Sequence, residues 1–140
     1  MKIVTKYISV STKGFTDIID ISREVQQCVD GSEMDEGSAN IFVIGSTAAV
    51  TTGEFEPGLV KKDIPSLYER LAPYKMDYAH HNTWGDDNGA AHLRTSLTGS
   101  SLLVPFVDGE LILGTWQQIV LVDFDTSPRK RKIVVQLMGI

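Results

Sequence analysis

The chain has 140 residues, of which 42% are hydrophobic, 22% are charged and 17 (12 Gly and 5 Pro) are glycine or proline, so one buried core is within reach. This balance excludes disordered and collagen-like classes, and no apolar run approaches the length of a membrane span. A net charge of −5 argues against an all-over nucleic-acid binder, and the single cysteine, Cys28, permits neither an internal disulfide nor a cysteine-based zinc cluster. Residues Met1 to Tyr7 alternate without a long apolar stretch, so no secretory signal is expected and the default location is the cytoplasm. With no linker, composition break or internal repeat, residues 1–140 read as a single domain.

Lys2 to Ser11 reads as a strand, with Ile3, Thr5, Tyr7 and Ser9 on one face and mostly apolar residues on the other. After Gly14 the period changes: Ile18, Ile21, Val25, Cys28 and Val29 predict a helix capped by Thr16 or Asp17 and closed at Gly31. Cys28 falls on its buried face. Asp30 to Ser38 reads as a solvated acidic loop, and Asn40 to Val50 as a strand running into Gly45-Ser46-Thr47-Ala48-Ala49. Asp63 is expected to cap a short helix with Pro65 in its first turn and Ile64, Leu67, Tyr68 and Leu71 on one stripe.

Tyr78 to Asn88 reads as a polar, extended loop, followed by a helix over Gly89 to Leu97 with Asn88 as cap and Gly99 as stop. The remainder predicts strands at 102–107, 110–113, 117–123 and 133–138, with Asp108-Gly109 as a two-residue hairpin turn. The basic run Arg129-Lys130-Arg131-Lys132 reads as a solvated approach to the last strand. The fold class is therefore α+β, mainly an antiparallel β-sandwich with two or three flanking helices.

Chemistry concentrates at His80, His81, Asp86 and His92. On the helix over Gly89 to Leu97, Asn88, His92 and Ser96 lie four apart and share a face. A loop histidine, a loop aspartate and a helix histidine could supply two nitrogens and one oxygen to a divalent ion; a polar loop joined to a capped helix is the alternative. In an extended segment only one of His80 and His81 faces such a site. Ser46, Thr47, Thr51 and Thr52 beside small residues suit phosphate oxygens, or else mark close sheet packing. Glu54 and Glu56 are acid–base candidates. Trp116 reads as core or as a ring platform, with Thr115 and Gln117 on the opposite strand face.

Gly109-Glu110-Leu111-Ile112-Leu113-Gly114-Thr115-Trp116-Gln117-Gln118-Ile119, preceded by Gly99-Ser100-Ser101 and Pro105, resembles the signature of the YjbQ-like uncharacterised family. That family is also labelled secondary thiamine-phosphate synthase. Tyr78-x-His80, Gly85-Asp86-Asp87, His92, Ser46-Thr47-Ala48-Ala49, Glu54 and Asp63 extend the likeness. The resemblance implies a β-sandwich with flanking helices, assembled as a homotrimer, acting on a phosphorylated small molecule with no nucleic-acid or membrane partner. It implies His80, Asp86 and His92 as ligands of a divalent ion (zinc or magnesium), and Glu54 and His92 as catalytic groups. Ser46, Thr47, Thr115 and Gln117 would bind substrate. Many members carry a histidine where this chain has Gly45. The implied reaction joins a pyrimidine methyl diphosphate to a thiazole phosphate and releases pyrophosphate. Two other readings use the same pocket: a non-catalytic trimer that binds an anion or metabolite, and a structural oligomer whose polar cluster only caps helices.

Overall fold

The structure, a computed structural model, describes residues 1–140. In chain order it comprises β1 (Lys2–Thr12), β2 (Asp17–Asp20), α1 (Ser22–Asp30), β3 (Gly37–Ile44) and β4 (Ala48–Gly53). A π-helical turn over Leu59–Asp63 leads into α2 (Ile64–Leu71), followed by α3 (Ala79–Trp84) and α4 (Gly89–Thr98). The chain closes with β5 (Ser101–Val107), β6 (Glu110–Leu111), β7 (Gln118–Asp123) and β8 (Arg129–Gly139).

β7 explains the layering. Ile119, Val120, Leu121 and Val122 follow one another without polar alternation, the pattern of a strand covered on both faces. β7 is the centre of a three-stranded sheet of order β2-β7-β4, and all five of its outer residues are buried from Ile119 onward. One face, with Ile119, Leu121 and Val50, packs on Ile41, Val43, Ile133, Val135 and Phe106 of a five-stranded sheet ordered β1-β8-β3-β5-β6. Val25 and Val29 of α1 join that core. The other face, with Ile18, Ala49, Val120 and Val122, is covered by Ala91 of α4 and by Val60, Ile64 and Tyr68. Every strand pair is antiparallel. The α+β class and the Asp108-Gly109 turn hold, with φ of 54° and 73° at the two turn residues.

Several boundaries differ from expectation, each for a physical reason. The predicted helix after Gly14 divides: Asp17–Asp20 pairs with β7 as β2, and only Ser22–Asp30 is helical, with no side-chain cap from Thr16 or Asp17. The predicted strand from Asn40 to Val50 breaks at Gly45 (φ 140°), where the chain leaves one sheet for the other. Asp63 makes no capping hydrogen bond, because the π-helical turn already supplies helical backbone before Ile64. Four α-helices are present where two or three were expected, the extra one being α3. Cys28 is half-buried, and burial pushes its thiol up, with Lys6 partly opposing the shift. No helix is long and apolar enough to cross a membrane.

Arg129, Lys130 and Lys132 of the basic run are exposed as expected, and Arg131 is the exception. The run lies within β8, and Arg131 points inward at 8% exposure. Its Nε donates to Asp123 Oδ2 at 2.7 Å and its Nη2 to Asp123 Oδ1 at 2.9 Å, a bidentate pair on a carboxylate that is 0% exposed. Nη2 also donates to Thr47 Oγ1 at 2.7 Å, and Thr47 donates onward to Asp125 Oδ2 at 3.1 Å. Thr12 Oγ1 donates to Asp123 Oδ2 at 2.6 Å, and Arg129 Nε to Asp125 Oδ2 at 2.7 Å. Removing one partner of such a pair leaves a buried charge unmatched. Arg131→Ala is expected to cost about 3–5 kcal/mol in urea unfolding, and a loss below about 1 kcal/mol would contradict this role.

Burial alone would push the Asp125 carboxyl up, but the Thr126 amide, Arg129 and the Thr47 hydroxyl outweigh it and hold the group below its ordinary value. A carboxyl depressed in the folded state adds stability above its unfolded value of about 3.9, and that stability is lost as pH falls through the folded value. The urea midpoint is therefore expected to drop below about pH 4, less steeply in Thr47→Val than in the parent.

Candidate functional site

Tyr78 to Asn88 is not extended. Ala79–Trp84 forms one and a half turns of helix, closed by Gly85 in the left-handed region (φ 71°), whose N–H donates to the His81 carbonyl at 2.8 Å. Neighbouring side chains therefore diverge by about 100° instead of 180°. His80 turns toward α4 and packs edge-on against His92, with ring centroids 4.5 Å apart. His81 turns toward Tyr78, and its Nε2 accepts the Gly89 N–H at 3.0 Å, so the neutral ring carries its proton on Nδ1. Gly89 permits this close approach: a Cβ there would lie 2.6 Å from Tyr78 Cβ and 2.9 Å from His81 Nε2. His81 thus caps α4, while His80 belongs to the cluster.

His80 Nε2 lies 3.4 Å from Asp86 Oδ2. The Asn88 amide has partners of the right sense only with its nitrogen turned inward, donating to Asp86 Oδ1 at 3.2 Å and His80 Nε2 at 3.1 Å. The single Nε2 lone pair can accept the Asn88 amide hydrogen or coordinate a metal ion shared with Asp86, but not both at once. Metal–ligand bonds of about 2.0–2.1 Å put two tetrahedral ligands about 3.3 Å apart, so this separation matches one edge of such a site. His92 stands beside it on the next helix. The two-nitrogen, one-oxygen donor set fits a divalent ion chemically, although no three His, Cys, Asp or Glu side chains already form a metal-holding group.

His92 also lines a second feature. Together with Gly45, Ser46, Thr95, Ser96 and Ser100 it surrounds an open polar recess of about 360 Å³, with no hydrophobic side chain in its wall. Thr95 Oγ1 is buried there without a hydrogen-bond partner. Sequence reading placed Ser46, Ser96 and His92 among the polar candidates but missed Thr95 and Ser100. The available signal was the cluster of hydroxyl residues on both sides of Gly99, where α4 stops and β5 begins.

The remaining candidates lie elsewhere. Thr47 is buried in the Arg131 network, its hydroxyl already engaged on both sides. Glu54 follows the last residue of β4 whereas Ser46 precedes the first, so the six-residue strand, roughly 20 Å at about 3.3 Å per residue, separates them. Gln117 joins Glu54's end of the strand: its Nε2 donates to Thr52 Oγ1 at 3.1 Å and its Oε1 accepts the Gly114 N–H at 3.0 Å. Thr115 and Trp116 form an exposed turn and not an extended strand, and Trp116 is 73% exposed, so it is not core. Arg94 is 1% exposed and donates to the Ala72 carbonyl, to Thr16 Oγ1 and to Glu69 Oε2, so it faces away from His92.

If His81 only caps α4, His81→Ala should cost about 0.5–1.5 kcal/mol of stability and leave ligand uptake at His80 and His92 unchanged. Thermal melts with and without added zinc would show both.

The family model described as UPF0047 protein YjbQ-like matches residues 6–140. A UPF0047 protein of Archaeoglobus fulgidus is 37% identical over 131 residues, 94% of this chain and 98% of its own. The UPF0047 protein YugU of Bacillus subtilis is 34% identical over 134 residues, covering 96% and 98% respectively. Among solved structures, a YbjQ-like protein of unknown function from Sulfolobus solfataricus P2 superposes with a TM-score of 0.92 at 35% identity, covering 99% of each chain. A hypothetical protein of Aeropyrum pernix K1 gives 0.90 at 31% identity, over 98% of this chain and 99% of the other.

Proposed function

For this chain, which belongs to the YjbQ-like UPF0047 family, we propose a metal-dependent enzyme acting on a phosphorylated small molecule in the cytoplasm. Secondary thiamine-phosphate synthase activity is the named candidate reaction. One observation carries the reading: His92 is shared between the His80–Asp86 pair and the hydroxyl-lined recess. A cation held by His80, Asp86 and His92 would lie beside a pocket whose walls offer hydrogen-bond donors to phosphate oxygens.

In this mechanism Ser46, Ser96 and Ser100 donate hydroxyl hydrogens to the phosphate. Asn88 donates its amide hydrogen to Asp86 Oδ1 and so holds the carboxylate in place, while an ion would take the His80 Nε2 lone pair. His92 orients the phosphate from the helix side. A divalent ion, when bound, supplies positive charge against the developing charge of a diphosphate leaving group. Glu54, Thr115 and Gln117 lie at the far end of β4 and take no part within one chain.

The recess itself favours a second reading. Its wall holds hydroxyls, glycines and one imidazole but no carboxylate to act as a base. A non-catalytic protein that binds an anion or metabolite would need no more. Elemental analysis of protein purified without chelators, beside His92→Ala, separates the two. Near-stoichiometric divalent ion in the parent and its loss in His92→Ala is the expected result, together with a phosphate-induced rise in Tm absent from the variant. A phosphate shift without metal in either protein supports the binding reading. Neither response in the parent overturns both.

We further propose the homotrimer that the family likeness implies, assembled through the outer face of the five-stranded sheet. Ile3, Phe42, Ile44, Leu103 and Met138 are all exposed on that face, with Ile3 opposite Met138 across β1 and β8. Apolar side chains gathered on one sheet face suit contact with a second copy. Phe42→Glu is expected to shift the chain from trimer to monomer in light scattering coupled to size exclusion. A parent that is already monomeric would overturn the assembly.

A further inference from the structure

At the end of β4 farthest from His92, a second cavity lies between the three-stranded sheet and the helical cover formed by the π-helical turn and α2. Its floor is Ile18, Val120 and Val122, its roof Val60, Ile64 and Leu67, and it shares no wall residue with the hydroxyl recess. Its volume is about 160 Å³. An apolar cavity of about 150 Å³ stays dry and takes up a benzene ring. Protein interiors normally close such space by packing.

The start of the cover is fixed within its own turn, and α2 is tied to α4. Glu56 accepts the Gly58 N–H at 2.7 Å and the Leu59 N–H at 2.9 Å, fixing the start of the π-helical turn. Tyr68 OH bonds Thr98 Oγ1 at 2.6 Å and so ties α2 to α4. Between these points the wider turn holds Val60 and Ile64 over the sheet. π-Helical turns recur at functional sites for this reason: they displace a wall without breaking the helix. The cavity's polar side is Thr51, half-buried, and the exposed carboxylate of Glu54. An apolar slot of ring size with a carboxylate at its rim selects a flat ring carrying a cationic or N–H-donating substituent and discriminates against an anionic one.

We propose that this cavity is a binding site for a single six-membered aromatic ring bearing an amine, the ring lying between Val60 and Val120 and the amine at Glu54. The site stands independently of the phosphate reading. Benzylamine, toluene and benzoate serve as probes in NMR titrations that follow the valine, leucine and isoleucine methyl groups. Benzylamine is expected to move resonances of Val60, Ile64 and Val120 saturably, and benzoate to bind most weakly of the three. Glu54→Gln, at an exposed position, should weaken benzylamine roughly twofold to fivefold while leaving toluene unchanged. Val60→Phe fills the slot and should abolish binding of both, whereas His92→Ala should leave it intact. Absence of a saturable shift with benzylamine in the parent overturns the proposal, as does benzoate binding as tightly as benzylamine. If Val60→Phe does not fold, the Glu54→Gln comparison decides alone: equal benzylamine affinity refutes the amine position, and a selective loss supports it.

Discussion

The pair between Arg131 and Asp123 fixes how the two sheets meet. Asp123 ends the central strand of the small sheet, and Arg131 lies inside β8 of the large one. Their bidentate bonds therefore hold two separate sheets at one corner. The guanidinium is also bound by Thr47 at the passage from β3 to β4, while Thr12 at the end of β1 donates to the same aspartate. Buried ion pairs are expensive to desolvate, so this one is better understood as a device that specifies geometry than as a net source of stability. Gly45 shows how tight the corner is: with φ at 140°, a Cβ there would come 2.8 Å from Arg131 Nη1. A side chain at position 45 therefore conflicts with Arg131 where it now lies.

A second buried arginine fixes the helices as the first fixes the sheets. Arg94 donates from Nε and Nη2 to the carbonyl of Ala72, where α2 ends, and from Nη1 to Thr16. Its guanidinium stacks 3.9 Å from the centre of the Tyr74 ring, and Tyr74 OH donates to the Phe124 carbonyl at 2.8 Å. α4 is thereby held between α2 and the end of β7. Two positions along a helix turn a side chain by about 200°, so fixing Arg94 inward directs His92 outward, toward His80 and the recess. The arginine acts on the site only through the angle of its helix.

What the sequence makes legible follows from the range of each interaction. β1, α4 and the Asp108-Gly109 hairpin are readable because alternation, a Gly stop and a two-residue turn are local signals. The gathering of His80, Asp86 and His92 is readable from short spacing, but which histidine faces inward is not. That depended on α3, a six-residue helix without an apolar stripe, closed by Gly85 and joined to α4 through the His81 cap. The break at Gly45 and the burial of Arg131 were invisible for a different reason. Each depends on a partner far away in the chain, Asp123 on another strand, and no local pattern announces it. β2 was misread as helix because Ile18 and Ile21 also fit a helical stripe, until pairing with β7 decided between them.

The contrast between the hydroxyl recess and the apolar cavity arises from the position of β4 at the edge of the small sheet. The chain enters β4 from the corner, where Thr47 is buried in the ion-pair network and Ser46 beside it is exposed. Its last residues run beyond Gly53, where no fourth strand follows and a helix must cover the sheet's free face. That cover begins as a wide π-helical turn whose start Glu56 fixes locally, and Tyr68 ties its helix to α4, leaving a slot above the sheet. The corner end yields hydroxyls beside an imidazole, and the covered end yields an apolar slot beside a carboxylate. The separation of His92 from Glu54 within one chain thus follows from how a single edge strand is held at its two ends.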